Sequence, residues 1–135
     1  MPERCTITAV VTEQQSSLGV WQCRFDLVAM RLEARVGEPG DAGAREAVLP
    51  LTPQEAETVR VLASRVTGTS RTLEPFLFQP VTQTVTIQRG RRRVRLSCDG
   101  GTLSEVDASA AALHAHGEQC LRAALRPDAA SRGDG

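Results

Sequence analysis

Five arginines fall within seven residues, from Arg89 to Arg95, inside a stretch that alternates apolar and polar side chains, VTQTVTIQRGRRRVRLSC (residues 81–98). Alternation along two arms, interrupted only at Gly90-Arg91, specifies a β-hairpin. With a two-residue turn there, Ile87 lies opposite Val94 and Val85 opposite Leu96, so the apolar sets share one face. Glycine in the first loop position suits a type II′ turn, which needs φ > 0 at that site. The other face then carries Thr82, Thr84, Thr86, Gln88, Arg93, Arg95 and Ser97, with Arg89, Arg91 and Arg92 around the tip. A slip of one residue would bury this cationic row, so the hairpin fixes both its register and its solvent face.

What the arginines mean depends on the rest of the composition. All sixteen basic residues are arginine, lysine and asparagine are absent, and isoleucine is scarce. That bias follows GC-rich codons and points to a bacterial genome. Arginine must therefore fill every cationic surface position, and chemistry needing a lysine, as in Schiff bases or lysine-bearing phosphate loops, is excluded. Sixteen acidic residues bring the formal net charge to zero. A protein that coats nucleic acid nonspecifically usually carries a basic excess, so the positive charge here is local. With no signal-like segment and no run of about 20 apolar residues, the expected setting is cytoplasmic, without a membrane.

The chain of 135 residues is long enough for one core. Residues 5–12 alternate as a strand, with Cys5, Ile7, Ala9 and Val11 expected inward, and the polar run 13–19 is expected to turn the chain. Residues 20–36 change phase: Trp21, Cys23, Phe25 and Leu27 share one face, and Val28, Met30, Leu32 and Ala34 the other. A bulge or sharp bend near Leu27-Val28 reconciles the two halves. A glycine-rich loop at 37–44 precedes a short strand at 46–51. Thr52-Pro53-Gln54-Glu55 is a helix start, with Thr52 as cap, Pro53 in the first turn and Glu55 closing a capping box. Val59, Leu62, Ala63 and Val66 form the buried stripe of that helix, and Gly68 is its terminator. After the hairpin, residues 102–106 read as a short strand, and Asp107 caps a helix over about 108–125. The expected class is α+β, order βββα-ββ(β)α, one domain over residues 1–126 with a disordered tail at 127–135.

Several residues carry candidate chemistry. Cys5, Cys23, Cys98 and Cys120 lack CxxC spacing and sit on inward phases, which reads as small buried apolar residues, with a zinc site as the alternative. In LHAHGEQCL, His114 pairs with Glu118 and His116 with Cys120 at i,i+4, but the two pairs point to different sides of a helix. Each offers only two metal ligands. Gly117 in that helix costs about 1 kcal/mol against alanine, and close packing on a neighbour is a reason to keep it. No nucleophile has a recognisable activating setting, and Glu55 and Glu57 lie on the solvent side of a helix. Arg132-Gly133-Asp134 matches an adhesion tripeptide by chance. Leu73, Phe76, Leu77 and Phe78 are expected in a loop, the last three between Pro75 and Pro80. Such a loop either covers one end of the core or, if exposed, marks an interface, and Val61 on the first helix is a lesser sign of the same kind.

These features predict a non-enzymatic interaction module without a cofactor or bound metal, an accessory or self-associating subunit of a larger complex. Its partner-binding residues are Arg89, Arg91, Arg92, Arg93 and Arg95 of the hairpin and Phe76, Leu77 and Phe78 of the apolar loop. The partner is another protein or a second copy. The alternative is a nucleic-acid-binding protein using the same arginines on phosphates, although no aromatic residue in the hairpin offers a stacking platform. A third reading is a metal-dependent enzyme around His114–Cys120.

Overall fold

A computed structural model describes residues 7–16, 19–37, 42–66, 70–73, 81–99 and 103–125. In chain order the elements are β1 (Ile7–Ser16), β2 (Gly19–Asp26), β3 (Arg31–Val36), β4 (Arg45–Pro50), α1 (Pro53–Ser64), β5 (Arg71–Leu73), β6 (Thr82–Arg89), β7 (Arg92–Asp99), a 3-10 turn (Leu103–Glu105) and α2 (Ala108–Ala124). The strands form one sheet in the order β4-β3-β2-β1-β6-β7-β5. Every neighbouring pair is antiparallel except β5 with β7. The class is α+β, as the sequence predicts, with one sheet and two helices.

The arginine hairpin has the expected register, with Ile87 opposite Val94, Val85 opposite Leu96 and Arg89 opposite Arg92 across the turn. Gly90 has φ 59° and Arg91 is not in the positive-φ region. That combination is the type II′ pattern, since type I′ would need both central residues at φ > 0. The bend expected near Leu27-Val28 is a full reversal. Leu27–Met30 form a four-residue loop that splits the long segment into β2 and β3, with Asp26 paired to Arg31. Asp26 stabilises the loop, its Oδ1 accepting from the backbone N–H groups of Val28 (3.0 Å) and Ala29 (2.9 Å). Met30 takes φ 57°, the one positive-φ non-glycine residue among those described.

Three expectations are corrected. The turn placed within residues 13–19 is narrower, because β1 runs on to Ser16, which pairs with Gly19. Residues 103–105 are a 3-10 turn rather than a strand, and the short seventh strand is β5, whose pairing with β7 no local pattern announces. Most consequential is the phase of β1. Ile7 pairs with Arg89 and Ala9 with Gln88, so Thr8 is an extra residue and the alternation shifts by one. Beyond this bulge Val10 and Thr12, both fully buried, face the core, whereas Ala9 and Val11 face the opposite side.

Both helices cover one face of the sheet. Ala56, Val59 and Ala63 of α1, and Ala110, Leu113, Gly117 and Leu121 of α2, are buried with Val10, Cys23, Phe25, Val85, Ile87, Leu96 and Cys98 beneath them. The predicted capping box is present: Thr52 Oγ1 accepts from Glu55 N–H at 3.1 Å, and the Glu55 carboxylate from Thr52 N–H at 3.0 Å. Asp107 caps α2 by accepting from Ser109 and Ala110 N–H. Gly117 meets the expectation of close approach, for a Cβ built there would lie 2.1 Å from Thr12 Oγ1. Cys23 and Cys98 are buried and Cys120 half-buried. Among the described residues no helix is long and apolar enough to cross a membrane. Cys5, Gly68, the loop residues Phe76, Leu77 and Phe78, and the tail at 127–135 lie outside the described residues.

Candidate functional site

The helices cover one face of the sheet; the other carries alternate residues of the same strands. The pairing registers align this open face in rows running across it. One row reads Arg31, Asp26, Ala9, Gln88, Arg93; the next Glu33, Arg24, Val11, Thr86, Arg95; the third Arg35, Gln22, Glu13, Thr84, Ser97. Short side chains therefore occupy the middle of the first two rows and arginines stand toward both ends. The result is a groove of about 440 Å³ over β2, β1, β6 and β7, floored by Ala9, Val11 and Thr86 and walled by Arg24 and Arg93. The β1 bulge makes this floor, because without it Val10 and Thr12 would face outward instead of Ala9 and Val11.

Polar groups in and beside the groove are partly fixed. Gln22 donates to the Glu13 carboxylate at 2.8 Å. The third row is not open at its β6–β7 end, where Thr84 and Ser97 are buried and share a hydroxyl hydrogen bond of 3.2 Å. The Ala29 and Val28 N–H groups, with Arg24 and Arg31 nearby, hold the Asp26 carboxyl below its ordinary value, so one edge of the groove keeps a negative charge. Charge is distributed unevenly across the face. The β2–β4 side mixes Arg24, Arg31 and Arg35 with Asp26 and Glu33, whereas Arg93 and Arg95 face the neutral Gln88 and Thr86.

The five hairpin arginines divide into three groups. Arg89 turns to the helical side, where its guanidinium donates to the Ala63 carbonyl (2.9 Å) and the Val66 carbonyl beyond the end of α1. It thus adds a charged donor at a helix C-terminus, where the Ala63 carbonyl also accepts from the Val66 N–H at 3.1 Å, and a cation there is favourable for the helix dipole. Arg91 and Arg92 are exposed at the tip, and Arg93 and Arg95 are exposed on the open face. The ion pairs among the described residues are Arg31–Glu33, Arg60–Glu57 and Arg122–Glu118, and none involves these four arginines. Sequence reasoning missed Arg24, Gln22 and Asp26, although their alternation with Trp21, Cys23 and Phe25 was visible. It could not have found Ala9 and Val11 without the bulge.

The residues of the third reading are placed differently. His114 is buried, its Nε2 3.1 Å from the Glu13 carbonyl oxygen and its ring 5.0 Å from the Trp21 ring. His116 lies 3.6 Å from Cys120 Sγ and stacks on Phe25. Burial pushes both histidines below and the Cys120 thiol above their ordinary values. Cys23 is pushed up to about 12 by burial and by the nearby Cys120, which leaves it a packing residue with little thiolate character. Among the described residues no three His, Cys, Asp or Glu side chains converge in a group that could hold a metal ion. The two histidine pairs diverge on α2, as their spacing predicts.

No protein-family model matches the chain, and no curated protein matches it. The geometry of the open sheet face carries the functional argument.

Proposed function

We propose that the protein is a non-catalytic interaction module that docks an acidic protein surface onto the open face of its sheet, through Arg91, Arg92, Arg93 and Arg95. The observation that carries this reading is the state of those side chains. They are exposed, make no ion pair among the described residues, and stand beside a groove whose apolar floor can take a short side chain from a partner. Arginine suits this role because its planar fork can bind a carboxylate in two places. Arg89 is removed from the docking set by its bonds to α1. Leu73, expected in a loop, ends β5 instead; Phe76, Leu77 and Phe78, which lie outside the described residues, remain part of the proposal as an apolar anchor.

The test compares wild type with a variant carrying Arg91→Ala, Arg92→Ala, Arg93→Ala and Arg95→Ala in affinity capture from the source cell, with quantitative mass spectrometry. An acidic protein retained by wild type and lost by the variant is the expected result. An identical bound set for both proteins refutes the docking role. Fluorescence anisotropy with duplex and single-stranded DNA and RNA forms the second arm. Phosphate binding falls with salt at about 0.9 log units per contact per log unit of salt on duplex DNA. Steep, arginine-dependent binding of that kind would replace the protein partner with nucleic acid.

A further inference from the structure

The opposite border of the sheet from the hairpin is β4, and among the described residues no strand pairs with its outer edge, which has a pattern of its own. Leu51 N–H donates to the Met30 carbonyl at 2.9 Å, and antiparallel ladders alternate bonded and non-bonded pairs. The β4 residues whose backbone groups turn inward to β3 are therefore Leu49, Ala47 and Arg45, opposite Leu32, Ala34 and Val36. Glu46, Val48 and Pro50 turn theirs outward. Proline occupies the outward position where its missing N–H weakens no bond to β3, as expected of an edge strand. The same strand carries two adjacent exposed apolar residues, Val48 at 60% and Leu49 at 42% exposure. Exposed edges are usually blunted by charge, yet the centre of this one, Ala47-Val48-Leu49, carries none.

We propose that β4 pairs antiparallel with β4 of a second copy of this chain, about a two-fold axis through Val48. The argument for a second copy is self-complementarity. A two-fold axis normal to the sheet keeps side chains on their own faces, which restricts the register. With the axis at Val48, the Val48 N–H of each chain meets the Val48 carbonyl of the other, and each Glu46 N–H meets a Pro50 carbonyl. Val48 then lies against Val48 on the open face and Ala47 against Leu49 on the helical face, so the apolar side chains cover one another. Placing the axis at Glu46 would set two carboxylates face to face. Placing it at Ala47 would oppose Arg45 to Leu49 and Glu46 to Val48. The chosen register keeps the carboxylates apart and sets the charged residues opposite Pro50 and Leu51 at the two ends, leaving the apolar centre Ala47-Val48-Leu49 matched to itself. The dimer doubles the sheet and leaves both arginine faces on the same side, one at each end; it rests on the β4 edge alone and does not require the docking role proposed for the arginines.

A single short strand buries less than the roughly 1,600 Å² of a standard interface, so a dimer of about micromolar affinity is expected rather than an obligate one. Sedimentation velocity of the full chain over a concentration series tests this. Val48→Pro removes only an outward N–H, leaves the β3–β4 ladder intact, and should weaken dimerisation about tenfold or more with an unchanged circular-dichroism spectrum. Val48→Lys, which sets charge against charge at the axis, should do the same should the proline variant fold poorly. Mild oxidation of Val48→Cys should give a disulfide-linked dimer, because directly opposed Cα atoms about 5.5 Å apart can be bridged. Ala47→Cys should not, since the two sites would be about 8 Å apart. A wild type that stays monomeric to about 1 mM overturns the proposal. A dimer indifferent to both Val48→Pro and Val48→Lys, or crosslinking at Ala47→Cys in preference to Val48→Cys, overturns it equally.

Discussion

Gly117→Ala isolates the contact that seats α2 on the sheet. Two effects oppose each other. Alanine in a helix interior is favoured over glycine by about 1 kcal/mol. Against this, the new methyl would lie 2.1 Å from Thr12 Oγ1 and 3.0 Å from both Thr12 Cβ and Cγ2. Turning Thr12 so that its Hβ replaces Oγ1 would give up the hydroxyl's 3.5 Å bond to the Cys23 carbonyl and push a heavy atom into packed surroundings, because Thr12 is fully buried on β1, between β2 and β6. The helix must therefore lift by about 1.4 Å to bring the 2.1 Å approach to ordinary contact near 3.5 Å, which disturbs the packing of Leu113 and Leu121. Overpacking of this kind costs about 1–3 kcal/mol, and a rigid central strand puts it at the upper end. The net expectation is a loss of about 2 kcal/mol, seen as a drop of about 1 M in the urea midpoint. Trp21 is the only tryptophan and its ring lies 5.0 Å from that of His114 on α2, so its fluorescence reports this seam. Thr12→Ala removes two of the three close atoms, so the double variant should recover about 1 kcal/mol relative to additivity. A Gly117→Ala protein as stable as wild type, or strict additivity in the cycle, would refute the reasoning.

Arg89→Ala should cost about 1–3 kcal/mol, because it strips two buried carbonyls at the end of α1 of a charged donor. Single alanine substitutions at Arg91, Arg92, Arg93 or Arg95 should each stay within about 0.5 kcal/mol, and chemical denaturation of the set separates the structural arginine from the exposed ones. Burial lowers the His114 and His116 pKa values in the folded state, outweighing the Glu13 carbonyl and Glu118 for His114 and Glu55 for His116, which act in the other direction. The unfolded chain then binds protons first, so their contribution is intact above about pH 6.5 and is lost as pH falls below it. Urea midpoints between pH 8 and 5 should decline less steeply for His114→Gln than for wild type; equal slopes would exclude His114 as a source. Cys23 should resist a thiol reagent in native buffer and react on unfolding, and labelling followed by peptide mapping checks this.

Local signals carried much of the fold. The hairpin register could be read because alternation and a Gly-Arg turn fix each other within eighteen residues, and the α1 capping box because its partners are three residues apart. Gly117 could be recognised as a close-packing residue, though not its partner, since Thr12 lies more than a hundred residues away. The exposed arginines were legible as charge and pattern. Their division was not: Arg89 differs from Arg91 only by facing the end of α1, and the chain must fold before that end exists.

The remaining decisions belong to tertiary structure. One extra residue at Thr8 inverts the faces of β1, sending Val10 and Thr12 into the core and Ala9 and Val11 to the groove. Alternation alone cannot locate such a residue, because Cys5, Ile7, Ala9 and Val11 form an unbroken apolar series and only the pairing with β6 reveals the shift. The parallel strand β5 and the sheet order likewise arise from contacts remote in sequence. The hairpin, the two helix starts and the supply of arginine are local and were legible; the folded sheet decided which face the arginines border and which described strand stands at its border, because those are properties of strand neighbours rather than of strands.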